Sequence, residues 1–302
     1  MTTKEKETNE TTTIVKAPSQ RVTNQVLEQI SSLRQRGSIT LPADYNVGNA
    51  LNSAWLKLQT IVNKDSKPII KAGQVDTSIV TLSSVVNALH DYVIQGLNVA
   101  KNQAYFIAYG NQLSCQRSYF GDMLLAERVM PGIVFDFDTI RKGETLVISK
   151  QIGKRGQVTT ISHSEIAFPR DPEIVGAYCG VFTSDGECLG YDVFDMVRIK
   201  RSWCKSKTYK YSTKDKPSTH DEFPEEMSLR TVIRHRCKEI INSSNDSLLM
   251  ESIIRQDVES VDGEIIEEAA EMANAEMLAI DPVADPETGE VIEPEAEPKE
   301  LF

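Results

Sequence analysis

Residues 251–302 read as a strongly acidic tail on a mildly basic body. They hold 17 acidic and 2 basic residues, a net of −15, so the preceding 250 hold 27 and 31, a net of +4, and the two recover the −11 of the whole chain. A stretch this charged and this poor in aromatics buries too little apolar surface to offset the entropy of ordering it. The core is expected upstream. The chain therefore reads as a disordered N-terminus over 1–20, a core over 21–245 and an acidic tail over 246–302. Residues 257–279 of that tail read as an acidic helix, and disorder is expected from Asp281 onward, where Pro, Glu and Asp dominate. The negative total hides a mildly basic body, so it does not exclude a polyanionic partner.

Within the core, hydrophobic periodicity sets the elements. Val22, Val26, Ile30 and Leu33 recur at helical spacing up to Gly37. A second stripe, Val47, Leu51, Trp55, Leu58 and Val62, predicts a helix over 46–63. A third, Ile79, Leu82, Val86, Leu89 and Val93, predicts a helix capped by Asp76 or Thr77 and closed by Gly96. The texture then changes. Residues 104–109 and 112–117 flank Gly110-Asn111 as a hairpin, a helix follows over 119–128, and 133–168 hold several short strands. Residues 175–183 and 188–191 flank Asp185-Gly186 as another hairpin. A helix over 192–203, a Lys-rich loop over 205–221 and a last core helix over 224–242 complete the reading. The fold class is α+β: N-terminal helices, an antiparallel meander of hairpins with embedded helices, a basic C-terminal core helix and an acidic disordered tail.

Several chemistries lack their signatures. No run of 18 apolar residues exists. Met1 to Gln20 lack the apolar core of a signal peptide, which predicts a cytoplasmic protein. The five cysteines are odd in number and form no CxxC pair, so neither a disulfide framework nor a zinc site is expected. No Walker-type phosphate loop implies an ATP motor, and no nucleophile elbow surrounds His163. Asp136 and Asp138 alternate on a predicted strand and leave a metal-dependent nuclease open as a remote alternative.

The basic residues carry the signal. Leu229, Val232, Ile233, Cys237 and Ile240 share one arc of the last core helix, and Arg230, Arg234 and Lys238 sit four apart on the adjoining arc. Such a stripe can follow a phosphate backbone, or simply be a solvated helix face. Arg236 falls on the apolar arc and so requires a partner. Upstream, residues 198–211 interleave Arg198, Lys200, Arg201, Lys205, Lys207 and Lys210 with Trp203, Tyr209 and Tyr211. Cations hold phosphates and aromatics stack on bases, the composition that single-strand binders use. The competing reading is a surface loop whose Trp203 belongs to the core. Lys154-Arg155, between Gly153 and Gly156, is a further candidate contact or a hairpin tip.

Three stretches together resemble the RecT family of phage single-strand annealing proteins. Ser84-Val85-Val86-Asn87-Ala88 through Gly96-Leu97-Asn98, with the hairpin that follows, is similar to the family's helix ending in Gly-Leu. Ser118 through Ala126 resembles its Gly-Tyr-Lys/Arg-Gly stretch, with Ser118 in place of the first glycine and Phe120 in place of the basic residue. Phe223 to Arg234 resembles its Phe-x-x-Met-Ala-x-Lys-Thr-x-Ile-Arg signature, with Arg230 in place of the lysine, and Lys200-Arg201-Ser202-Trp203 suits its basic Ser-Trp segment.

The resemblance implies ATP-independent annealing of single-stranded DNA in recombination by a homo-oligomer, ring or filament, in a bacterial host and acting at the nucleoid. A phage exonuclease and a host single-strand-binding protein are the implied partners, with no catalytic residue, cofactor or metal. The expected DNA contacts are Arg117, Tyr119, Lys154, Arg155, Arg198, Lys200, Arg201, Trp203, Lys205, Lys207, Arg230, Arg234 and Lys238. A passive coat protein that binds strands without annealing them is the main alternative. The tail, which ends Pro298-Lys299-Glu300-Leu301-Phe302, either recruits partners, competes with DNA for the basic surface or solubilises the chain. If it competes, a chain lacking residues 257–302 binds oligonucleotides more tightly at low salt, with the gain fading as salt rises. Equal affinities at low salt would remove the competition reading.

Overall fold

Thr81, rather than Asp76 or Thr77, starts the third helix. The Asp76 carboxylate is already engaged by the backbone N–H and hydroxyl of Ser78, which closes a turn there, whereas Thr81 accepts from the N–H of Ser84. The computed structural model describes residues 18–153, 156–164 and 169–259. Over these the fold is α+β with antiparallel sheets, and the chain divides into two units. Unit 1 is Met1–Gln116 with Ser244–Gln256, and unit 2 is Arg117–Ser243 with Asp257–Phe302.

In unit 1, α1 (Pro18–Gln35), α2 (Val47–Leu58) and α3 (Leu82–Ile94) pack on one another. The stripes read from sequence face inward: Val22, Val26 and Ile30 on α1; Leu51, Trp55 and Leu58 on α2; Val86, Leu89 and Val93 on α3. The second helix is shorter than expected, because 59–63 turn away and Val62 bridges Pro68. Between α2 and α3 lies a small unforeseen ladder, β1 (Ile70–Lys71) with β2 (Gln74–Val75). After α3, β3 (Ala104–Tyr109) and β4 (Gln112–Arg117) pair around Gly110, whose φ of +57° suits glycine.

Unit 2 opens with α4 (Tyr119–Val129), capped by Ser118, and is organised by a three-stranded antiparallel sheet. Its members are β5 (Ile133–Arg141), β8 (Ile174–Thr183) and β9 (Cys188–Asp195), in the order β5-β8-β9. The hairpin of β6 (Leu146–Gly153) and β7 (Gly156–His163) is inserted between β5 and β8. After β9 come α5 (Met196–Trp203), the single turns α6 (Lys207–Lys210) and α7 (Thr219–Glu222), and α8 (Pro224–Ile241). The strand runs on to Asp195, so the helix expected from Asp192 begins four residues later.

The central strand β8 is buried from Gly176 to Val181 because both of its faces are covered. α8 packs on one, with Cys237 near Cys179. On the other, Ile161 of β7 reaches over Gly180, where an added Cβ would stand 3.0 Å from its Cδ1. Burial pushes the thiols of both Cys179 and Cys237 up, Cys179 to about 12, so they stay protonated core groups. The hairpin is tied down by charge. Arg170 donates to both oxygens of Glu144 (2.9 and 3.0 Å) and to the carbonyl of Thr139 (2.9 Å), holding the Glu144 carboxyl down to about 2.

The last helix, α9 (Ser247–Glu259), begins ten residues before the acidic helix read from sequence. It buries Leu249, Ser252, Ile253 and Gln256 in unit 1, where Gln95 donates to the Ser252 hydroxyl (2.6 Å) and Arg255 pairs with Asp91 (3.5 Å). The acidic tail beyond it, Ser260–Phe302, and the N-terminal Met1–Ala17 lie outside the described residues.

Gly176 offers a test of this packing. A Cβ there would stand 2.7 Å from the backbone carbonyl oxygen of Phe194, an atom of the paired strand that cannot rotate aside. Gly176→Ala is expected to lower unfolding stability by about 1–3 kcal/mol, read from the urea midpoint.

Candidate nucleic-acid interface

The short helix α5 divides its residues sharply. Asp195 caps it, accepting from the N–H of Arg198 at 2.7 Å. Ile199 and Trp203, four apart, are buried, and the Trp203 indole N–H donates to the Thr231 hydroxyl of α8 at 3.0 Å. Met196 is half-buried, and the remaining positions, Val197, Arg198, Lys200, Arg201 and Ser202, are all exposed. The Arg198 guanidinium lies 3.6 Å over the Phe194 ring, which stiffens one of these cations.

The segment after α5 continues the pattern. Trp203, Tyr209 and His220 form a three-ring cluster with centroids 5.2–5.5 Å apart. Burial first, and the nearby Arg230 charge second, lower the His220 pKa to about 4, so this ring is a neutral packing element. In the same segment Lys205, Lys210, Tyr211, Lys214 and Lys216 are exposed. Residues 198–216 carry eight Lys or Arg against one acid, Asp215. The result is an exposed segment dense in cations, with Trp203 and Tyr209 packed inside it.

The expected contact residues do not share one environment. Arg198, Lys200, Arg201 and Lys205 lie exposed in one stretch of chain, while Trp203 lies beneath them in the core. Lys207 belongs to α6, its side chain outside the described residues, as Lys154 and Arg155 are altogether. On α8 the four-residue stripe runs from cover to solvent. Arg230 is buried at 7 % exposure, Arg234 is part-exposed and Lys238 is exposed. Arg236 has the partners its position demands, Glu239 (2.5 Å) and Asp192 (3.9 Å). Tyr119 is half-buried, its ring 4.1 Å from that of Phe120.

Arg117 is buried, and the residue that explains it escaped the sequence reading. Asp122 on α4 takes the Arg117 Nε on one oxygen at 3.0 Å and the Arg234 Nε on the other at 3.1 Å. Arg117 and Asp122 side chains are each only 7 % exposed, so this carboxylate fixes one guanidinium inside the protein and steadies another at its edge. Nothing in the spacing distinguishes Asp122 from any other acid in the first turn of a helix. The remaining acidic candidates are engaged as well: Asp138 pairs with Arg170 at 3.3 Å, and Asp136 accepts from the Tyr178 hydroxyl at 3.5 Å. Among the described residues no group of three His, Cys, Asp or Glu is placed to hold a metal ion, and no helix is long and apolar enough to cross a membrane.

A cation-dense exposed segment on an α+β frame suits a polyanion, and comparison with known families decides which kind of protein carries it. Residues 56–270 match the RecT family, well over half of the chain. The chain belongs to the RecT family. Membership brings single-stranded DNA binding and strand annealing in phage recombination, and places it among binding and annealing proteins rather than classical enzymes. The matched span takes in the whole of Arg117–Ser243, including α5 and α8. Comparison with curated proteins finds no match.

Removing Asp122 separates its two roles. Asp122→Ala removes a carboxylate from the buried Arg117 and from Arg234 and is expected to cost about 1–3 kcal/mol of stability. Arg234→Ala, at the exposed end of the same network, is expected to cost under about 1 kcal/mol. Urea unfolding of the two variants checks the contrast.

Proposed function

We propose that the exposed cations of α5 and the segment after it hold the phosphates of a single DNA strand, and that the protein anneals complementary strands without ATP. The observation that carries this reading is the division of α5. Ile199 and Trp203 hold it in the core while Arg198, Lys200 and Arg201, with Lys205 beyond, are left in solvent with no acid interspersed. Such a face neutralises the backbone charge that keeps two strands apart, and releases counterions in doing so. It leaves sequence to be read by base pairing, the division of labour seen in guided recognition.

Arg234 and Lys238 extend the proposed contact, while Arg117 and Arg230, buried, act through the placement of their neighbours. A homo-oligomer, as ring or filament, and partnership with an exonuclease and a single-strand-binding protein belong to the same reading. No residue is assigned a covalent step.

The test is the annealing rate of two complementary dye-labelled oligonucleotides, without ATP and across a salt series. Acceleration that needs complementarity and fades with salt is expected. Binding without acceleration would leave a passive coat protein, and magnesium-dependent cleavage would revive the nuclease. Changing Lys200 and Arg201 together to Ala is expected to weaken binding to all sequences alike and to reduce the salt slope by about 1.4, two single-strand contacts' worth. An unchanged slope in folded protein would move the contact elsewhere.

A further inference from the structure

Tyr211 is 72 % exposed, more than any other large apolar or aromatic side chain among the described residues. Two other aromatics of the same basic segment are used internally. Trp203 is buried with its N–H bonded to Thr231, and Tyr209 packs edge-on against Trp203 and beside His220. Tyr211 stands just past them, with the Lys210 ammonium 5.8 Å from its ring centroid and Lys214 and Lys216 exposed a few residues on.

The backbone that carries this ring is closed on both sides. Ser212 returns its N–H and hydroxyl to the carbonyl of Tyr209 (3.2 and 2.9 Å), and Thr213 and Lys216 exchange backbone bonds at 3.0 and 3.1 Å. Tyr211 thus sits on a turn already held in place, and its side chain has only two torsions to order on contact. The ring is 72 % exposed and so is open to a partner.

We infer that Tyr211 is a stacking platform for a base of the bound single strand, an assignment that rests on the annealing function proposed above. Cations before and after it along the chain, Lys210 and Lys214, would hold phosphates near the stacked nucleotide, the arrangement by which single strands are held without regard to sequence. Stacking also meets a requirement specific to annealing. A ring covers the face of a base and leaves its pairing edge open to the incoming strand.

A cycle that removes the ring and the bases separately tests this. Anisotropy of labelled oligo(dT) and of an abasic strand of equal length is measured with the unsubstituted protein, Tyr211→Ala and Tyr211→Phe. Oligo(dT) affinity is expected to fall at least about five-fold in Tyr211→Ala, with the salt slope unchanged, and to be kept in Tyr211→Phe. On the abasic strand the three proteins are expected to bind alike. Equal binding of oligo(dT) by all three overturns the inference, as does an equal loss on both strands, or a loss that Phe does not restore. A change in oligomer mass in Tyr211→Ala also overturns it, assigning the ring to a contact between copies. Failure of the unsubstituted protein to bind oligo(dT) at all is a separate result, and it would remove the proposed function itself.

Discussion

The seating of α8 across the three-stranded sheet is the contact on which unit 2 depends. Val232, Ile233, Cys237, Ile240 and Ile241 bury the apolar side of that helix, and β5, β8 and β9 all touch it. α4 and α5 then pack on α8 in turn, so the elements bearing Asp122, Trp203 and the exposed cations take their positions from one helix. The bond between Trp203 and Thr231 is the clearest instance. It ties the inner side of α5 to α8 and thereby fixes which residues of α5 face water.

Charge is sorted by that packing rather than by residue type. Arg117, Arg230, Arg234 and Lys238 all belong to a basic inventory, yet the first two are buried and the last is exposed. A buried guanidinium persists only where carboxylates and polar groups offset its lost hydration, and Asp122 does this for Arg117. The described cations of 198–216 are exposed, Arg198 among them although it lies over the Phe194 ring, in a chain whose total is negative only because of its tail.

Much of the fold is legible in the sequence wherever one face alternates with another. The stripes of α1 and α8 and the hairpins at Gly110 and Asp185-Gly186 fall where periodicity and turn chemistry place them. The failures have local causes. Asp76 and Thr81 are both good helix caps, and only the engagement of Asp76 by Ser78 decides between them. α9 lay hidden because half of its buried face is polar, Ser252 and Gln256, within an acidic context. In the interface, the cation-rich segment was legible, but composition does not tell a core aromatic from a solvent-facing one. Trp203 and Tyr211 differ in burial because one sits four residues from Ile199 on a helix and the other on a turn beyond it.

The course of the chain between the units bears on the order in which they can form. Arg117–Ser243 interrupts unit 1, whose Leu249, Ile253 and Gln256 arrive only after the interruption is complete. During synthesis from the N-terminus, the inserted segment has its sheet and α8 in hand before unit 1 receives its closing helix. Unit 1 must wait with the surface that α9 will cover, around Asp91 and Gln95, open to water. Its completion therefore reports that the segment bearing α5 and α8 has already been made.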